Sequence, residues 1–395
     1  MRIGVDATSW VNRRGYGRFA RNALGRLVEV DPDTRYVLVI DEESARRAEL
    51  PAAAEVLAVP LSRPPAEAAS ASSYRPPRDL LRLGAAVSRA RFDAFLFPSV
   101  YTYFPSVGAP TVVGVHDLIA DDFPQLTLPS RRARTLWTLK QRLALALARR
   151  LFTVSETSRS EIAARLRIAA SRIAVVSEAP DPVFYPRSAA EVEQALAGLG
   201  LGAREPYLLY AGGISPHKDI PTLLEAYALV RKDGNAPRLV IAGALDADPY
   251  HSAADAVRER IGALGIADGV LLTGYVTDDV LACLYSAASA VALPSLAEGF
   301  GLPAVEAAAC GAAVVLSDIP AHRETLGEDA LFFPAGDAAV LSERIQRLLG
   351  SDMLRRSLAE RGRQRVARRS WTAAAEALRE LLHGAARERG GRGRA

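Results

Sequence analysis

The sequence predicts an α/β protein built from two doubly wound domains, each a parallel sheet with helices on both faces, facing a central cleft. Three observations predict it. The chain has 395 residues, more than one ordinary hydrophobic core holds and suited to two domains. Short β-branched runs alternate with longer helical stretches, the rhythm of a parallel sheet covered on both sides. That rhythm restarts after 177–186, Ser-Glu-Ala-Pro-Asp-Pro-Val-Phe-Tyr-Pro, whose prolines exclude a continuing helix or a central strand.

In the first half, buried strands are expected over 2–6, 36–40, 93–97, 111–115 and 173–176, and helices over 19–30, 80–91, 130–150 and 158–166. The segment 63–77, rich in Pro, Ala and Ser, reads as a loop over the first domain and as a lid. The proline-rich linker sets domain limits of 1–180 and 181–370. In the second half, strands are expected over 207–211, 239–242, 270–273, 290–293 and 313–317. Helices follow near Pro221, Asp255, Asp279, Pro303 and Ala338. After Ser370 and Trp371 an alanine-rich helix runs to His383 and is expected to pack back on the first domain, with a disordered Gly/Arg tail behind it.

Composition bounds the class. Hydrophobic residues make up 49% and charged residues 24%, a globular balance, with a formal charge of +4. The basic residues gather over 131–150 and 387–395. In 130–150 they interleave with leucines, so the helix either lies peripherally on anionic lipid or packs its leucines on the sheet. The need to cover the sheet favours packing. Cys283 and Cys310 sit in apolar stretches and read as buried free thiols. No Cys/His pairs stand at zinc-ligand spacing. The N-terminus reads as a strand rather than a signal peptide, and no apolar run nears the roughly 20 residues that span a bilayer, which predicts a cytoplasmic protein.

Ligands of open parallel sheets collect outside the carboxyl ends of the strands, so residues there carry the functional reading. The segment 294–318 runs Pro-Ser-Leu-Ala-Glu-Gly-Phe-Gly-Leu-Pro-Ala-Val-Glu-Ala-Ala-Ala-Cys-Gly-Ala-Ala-Val-Val-Leu-Ser-Asp. It predicts a strand, a turn holding Gly299 and Gly301, and a helix with Pro303 at its start and Gly311 at its stop. Free amides at that helix start suit a diphosphate. Glu298 in the loop and Glu306 one turn into the helix reach the same ligand, as carboxylates that accept hydrogen bonds from hydroxyls. The bland alternative is that Glu298 caps the loop and Glu306 complements the helix dipole.

Three further strand ends stand out. The segment 210–219 reads Tyr-Ala-Gly-Gly-Ile-Ser-Pro-His-Lys-Asp and puts Lys218, a compact cation, before a helix. The segment 111–123 puts His116 and Asp117 at the end of a buried strand. Between Arg13 and Phe19 the run Arg-Arg-Gly-Tyr-Gly-Arg-Phe offers Gly15 and Gly17 as a tight turn with exposed amides. Asp246-Ala-Asp248 has the spacing of a metal-binding carboxylate pair but reads as an ordinary loop.

Segment 294–318 resembles the donor-binding signature of the retaining glycosyltransferases with the GT-B fold, the large family of sucrose synthase-like and mannosyl-transferring enzymes, glycosyl transferases group 1. The resemblance implies that Glu298 contacts the transferred sugar and Glu306 the ribose, and that the amides of Phe300, Gly301 and Leu302 line the same site. It implies a diphosphate role for Lys218 in the loop that includes Gly213, where the family's frequent arginine is replaced by Ala211, Gly212 and Gly213. It gives Val276 main-chain contacts to the base and Gly15 and Gly17 a place in a glycine-rich loop. It sets His116 near the reacting carbon, where we expect an orienting hydrogen-bond donor, with Asp117 structural.

The predicted activity is therefore retaining transfer of a hexose from a nucleoside-diphosphate sugar to an acceptor hydroxyl on a glycan, a lipid-linked sugar or a small metabolite, without a metal or other cofactor. GDP-mannose is the favoured donor. A UDP-sugar-dependent glucosyl- or N-acetylglucosaminyltransferase, a GT-B-fold epimerase and a non-catalytic nucleotide-sugar binder are the alternatives. Nucleic acid is not an expected partner, because binding through the basic patches would not need Glu298.

Overall fold

The computed structural model describes residues 1–12, 15–62, 75–128, 130–202, 205–232, 234, 236–244 and 253–392, with side chains described as far as Glu388. The chain divides into two compact units, Met1–Glu178 with Ser370–Ala395, and Ala179–Arg369.

The first unit is a parallel sheet of β1 Arg2–Asp6, β2 Arg35–Asp41, β3 Glu55–Val59, β4 Ala94–Phe97, β5 Thr111–Gly114, β6 Ala148–Thr153 and β7 Ile173–Val175. Its order is β3-β2-β1-β4-β5-β6-β7. The reversal beside β1 makes it doubly wound, and the central strands are buried throughout: all four residues of β4 are enclosed. Phe95 packs edge-on to Phe97 at 4.9 Å, and Phe97 to Phe104 at 5.0 Å. Burying each such ring is worth about 2–3 kcal/mol. A side chain at Gly4 would come 2.5 Å from Phe95, so this position in β1 has no room for one.

The second unit repeats the plan with β8 Tyr207–Ala211, β9 Arg238–Ala242, β10 Val270–Gly274, β11 Ala290–Leu293, β12 Val314–Ser317 and β13 Leu331–Phe333, in the order β10-β9-β8-β11-β12-β13. All its pairings are parallel.

Several features depart from the sequence reading, among them the helices Ala189–Gly198, Pro320–Leu326 and Asp352–Val366. Strands β3 and β13 were not expected. Both are short edge strands, and β3 is largely exposed, so neither carries a clean apolar signal. The helix expected to reach Arg150 runs Arg131–Leu147, and Ala148, Arg149 and Arg150 open β6. Pairing with β5 and β7 overrides the helical pattern there.

A further departure is that this helix does not bury all its leucines: Trp137, Gln141 and Ala144 face inward, while Leu136, Leu139 and Leu147 are exposed. Next, the run around Gly15 and Gly17 is no turn, since Gly15–Phe19 is helical and leads through Ala20–Leu24 into Gly25–Val30.

Finally, the C-terminal helix does not stop at His383 but continues as Trp371–Arg392. Alanine, arginine and glutamate favour a helix strongly enough to carry Gly384, Gly390 and Gly391, and Glu388 pairs with both Arg149 and Arg150. Earlier in the same helix, His383 Nε2 meets Asp31 Oδ2 at 2.7 Å, and Trp371 packs edge-on to Phe19.

Cys283 and Cys310 are free and buried. Among the described residues, no helix is long and apolar enough to cross a membrane, and no group of His, Cys, Asp and Glu is arranged to hold a metal ion.

Candidate active site

In the second unit, the ends of β8 and β11 deliver two loops that are tied to each other. After β8 the chain passes Gly212 and Gly213, whose carbonyl accepts from the Tyr210 hydroxyl at 2.7 Å, and turns through Pro216–Lys218 into the helix Ile220–Arg231. After β11 it enters the loop that holds Ser295 and Glu298. The Leu296 amide donates to the His217 carbonyl at 2.8 Å, locking the loops together at the backbone. Lys218 Nζ donates to Glu298 Oε1 at 2.5 Å, and Ser295 Oγ donates to the same oxygen at 2.7 Å. The Lys218 and Glu298 side chains are 16% and 11% exposed, so water screens this pair little. Burial pushes the Glu298 carboxyl up, but the Lys218 charge, His322 and the two hydrogen bonds outweigh it and hold the group at about 2.

The helix Leu302–Ala309 begins beside this pair. Gly301 caps it at φ 90°, a conformation that favours glycine, and Pro303 occupies its first turn. Among the described residues, the amides of Phe300, Gly301 and Leu302 donate no hydrogen bond, the unsatisfied donors of a helix start. Phe300 is buried beneath the Arg369 guanidinium, 4.9 Å from the ring centroid. Glu306 is buried in the same helix. Val276 is half-buried between β10 and the helix Asp278–Ala287.

Two residues of this site were missed in the sequence. Ser317, at the end of β12, donates to the Ser295 carbonyl at 2.5 Å and so joins the two strand ends. His322, fully buried, places Nδ1 3.0 Å from the Ser317 carbonyl, which can only accept, so Nδ1 carries the hydrogen. Its edge faces Gly301: a side chain there would lie 3.1 Å from the His322 ring. Burial lowers the His322 pKa. The strand-end rule that singled out His116 would also have flagged His322, one of only five histidines, five residues after β12.

The first unit places His116 just beyond β5. Gly114 lets the Pro98 carbonyl approach to 2.4 Å of where a side chain would start, and His116 Nε2 meets that same carbonyl at 2.8 Å. The carbonyl only accepts, so Nε2 carries the hydrogen. Burial lowers the ring's pKa to about 4, with the Pro98 contact resisting, and the ring is neutral at pH 7. Its remaining nitrogen, Nδ1, is then an acceptor, 3.8 Å from Glu178 Oε1. In this structure the one N–H of His116 is directed at Pro98. Asp117 accepts from the Ile119 amide at 3.0 Å.

Gly17 is buried within a helical turn, and a side chain there would come 1.7 Å from the Asn12 carbonyl oxygen. Its glycine is a packing requirement rather than a turn. Arg13, Arg14, Asp246, Asp248 and the stretch 63–74 of the expected lid lie outside the described residues.

Across 192–365 the chain matches the family described as glycosyl transferases group 1, and across 15–182 that described as glycosyltransferase family 4. The chain belongs to the GT-B-fold glycosyltransferases. The chain is 34% identical to the O-antigen chain mannosyltransferase B of Escherichia coli over 58% of each chain. It is 28% identical to the D-inositol 3-phosphate glycosyltransferase of Salinispora arenicola, over 69% of this chain and 63% of that one. The matches thus span less than two thirds of the length of these curated relatives. In structure it is similar to the sucrose-phosphate synthase of Thermosynechococcus elongatus, with a TM-score of 0.74 at 20% identity, covering 97% of this chain and 98% of that one.

Proposed function

We propose that the chain transfers a hexose from a nucleoside-diphosphate sugar to an acceptor hydroxyl, with retention of configuration at the anomeric carbon. The observation that carries this reading is the Lys218–Glu298 pair set against the undonated amides of Phe300, Gly301 and Leu302. Those amides and Lys218 take the diphosphate, Glu298 the transferred sugar and Glu306 the ribose, with Gly213 and Val276 lining the nucleotide. The bond between the anomeric carbon and the β-phosphate oxygen breaks, and its electron pair leaves with the diphosphate. The acceptor oxygen bonds to that carbon on the same face, and its proton passes to the departing phosphate oxygen. Preorganised donors facing a leaving group contribute about 3–4 kcal/mol of transition-state stabilisation. No metal is assigned a part.

Mannose is the favoured sugar, supported by the relative named a mannosyltransferase. A thermal-shift screen with GDP, UDP, ADP and their sugars tests the reading. Stabilisation by one nucleotide and its sugar is expected, and stabilisation by none contradicts donor binding.

We also propose a peripheral contact with anionic lipid through the helix Arg131–Leu147, because Leu136 and Leu139 are exposed beside Arg132 and Arg142. Co-sedimentation with phosphatidylglycerol vesicles is expected and should be lost in Leu136→Ser/Leu139→Ser. Equal sedimentation of the two proteins rejects the contact.

A further inference from the structure

His322 has no part in the transfer described above, yet it stands behind the donor loops with one ring nitrogen in use and one idle. It lies in the helix Pro320–Leu326 that follows β12 and is fully buried. Its Nδ1–H is spent on the Ser317 carbonyl at 3.0 Å. Nε2, also buried, has no hydrogen-bond partner among the described residues. A neutral imidazole carries one hydrogen, so Nε2 presents a bare lone pair, and a buried acceptor left unmet is costly.

A short relay of contacts joins the ring to the Lys218–Glu298 pair. Ser317 Oγ donates to the Ser295 carbonyl at 2.5 Å, Ser295 Oγ donates to Glu298 Oε1 at 2.7 Å, and Lys218 Nζ donates to that same oxygen at 2.5 Å. The other edge of the ring is turned to the start of the helix Leu302–Ala309. A side chain at Gly301 would begin 3.1 Å from His322 Cδ2 and 3.5 Å from Nε2. The idle nitrogen therefore sits beside one of the residues whose amides are given to the diphosphate.

The charges around the ring decide the state of Nε2. Burial holds the His322 pKa below the ordinary 6.5; the Glu298 carboxylate and the Ser317 carbonyl pull it up, and the Lys218 ammonium pushes it down. The arginines of the surrounding elements are turned elsewhere. Arg323, on the same helix, pairs with Asp318; Arg361 and Arg365, on the helix Asp352–Val366, pair with Asp329; and Arg369 lies over Phe300. Glu324 is on the helix of His322, Glu306 on the helix Leu302–Ala309, and His217 precedes Lys218 in its loop. Glu298 and Lys218 are the charges that act on the ring, and they act in opposite directions. A diphosphate at the helix start adds negative charge beside His322 and draws Lys218 off Glu298. It thereby removes the charge that opposes a proton on Nε2 and leaves a buried carboxylate without its partner, which is costly.

We propose that His322 is a positioning residue that takes up a proton from solvent at Nε2 as the donor binds. The imidazolium then replaces Lys218 as the counter-charge of Glu298 and keeps that carboxylate ionised for the sugar while Lys218 holds the diphosphate. The inference rests on the donor reading of these loops and adds a proton that the reading alone does not require.

The test is calorimetric titration at pH 7 of whichever nucleotide sugar stabilises the protein, in buffers of different ionisation enthalpy. The diphosphate of a nucleotide sugar is esterified at both ends and does not titrate near neutral pH, so the buffer dependence of the heat counts protons taken up by the protein. The wild-type protein is expected to take up about one proton per bound donor, and its affinity to fall about tenfold between pH 7 and pH 8.5. His322→Asn, which can still donate to the Ser317 carbonyl, should take up none and bind with an affinity that is flat over that range. If His322→Asn fails to fold, proton–nitrogen NMR correlation of the imidazole rings in the wild-type protein is the readout: one buried ring should be neutral in the free protein at pH 7 and doubly protonated in the donor-saturated protein. Donor binding without proton uptake, or uptake that survives His322→Asn, overturns the inference and leaves the donor reading standing. If no nucleotide sugar binds, both fall.

Discussion

The two units place polar side chains at equivalent strand ends but settle them differently. In the second unit the Lys218 and Glu298 charges satisfy each other, with Ser295 completing the carboxylate, so the pair is electrostatically closed. In the first unit Arg75 faces the carboxylates of Asp6, Asp41 and Asp79, yet Arg75 Nη1, Asp6 Oδ2 and Asp41 Oδ2 are buried without a hydrogen bond, and Lys140 faces a like charge. A ligand that uses Lys218 or Glu298 must open that pair, whereas the first-unit charges balance while some of their hydrogen-bonding atoms stay unmet. Removing a charge should therefore hurt either unit through the partner left behind, Glu298 in the second and the buried carboxylates around Arg75 in the first.

The largest expected effect is structural. Gly17→Ala drives a methyl group into the Asn12 carbonyl and should destabilise the protein by about 3 kcal/mol or more, read from denaturant unfolding. Unchanged stability would mean that the helix Gly15–Phe19 does not pack against Asn12. Next comes Lys218→Ala, which should lower kcat about 10²- to 10³-fold once the donor is identified. It should also raise the Glu298 pKa, observable by NMR titration, because the opposing charge is gone. A fall in turnover without that shift would separate the catalytic from the electrostatic half of the comparison. Glu298→Gln should weaken kcat/KM for the donor about 10- to 100-fold, the range for a hydrogen bond to a charged group.

The smaller effects concern acid. His116 has a folded pKa near 4 and an unfolded value near 6.5, so the unfolded chain binds more protons between them. Its contribution is complete above pH 6.5 and is lost as pH falls toward 4, up to about 3 kcal/mol. His116→Gln, which can still donate to Pro98, should flatten that part of the stability profile. Glu298 works lower: its stabilisation is complete above about pH 4.5 and disappears as pH falls toward 2. A His116→Gln protein as acid-sensitive as wild type between pH 6.5 and 4 would mean that His116 is not buried in its neutral form.

Much of the fold could be read in advance because β1, β4, β5, β8, β9, β11 and β12 are apolar runs with turn signals at both ends. What escaped was structure that depends on neighbours: the exposed edge strand β3, the short β13, and β6, whose two arginines look helical until β5 and β7 pair with their backbone. At the candidate site, Lys218, Glu298 and Glu306 were singled out by their places at strand and helix ends and by the family resemblance of 294–318, since the loops that hold them are continuous in sequence. Their hydrogen-bond states were not. The N–H of His116 meets the Pro98 carbonyl, 18 positions away in the chain and brought close because Gly114 carries no side chain. Arg75 and Lys140 belong to distant segments, and only the packing of the sheet makes them neighbours.

The central claim is that the loops joined by Lys218 and Glu298 hold the diphosphate of a sugar donor. It is tested most directly by calorimetric titration of GDP-mannose, or whichever nucleotide sugar stabilises the protein, into the wild-type and Lys218→Ala forms. One tightly bound donor per wild-type chain, with affinity at least about 30-fold weaker in the variant, is the predicted result, equivalent to about 2 kcal/mol lost from a buried charged contact. Equal affinity in the two proteins would contradict it.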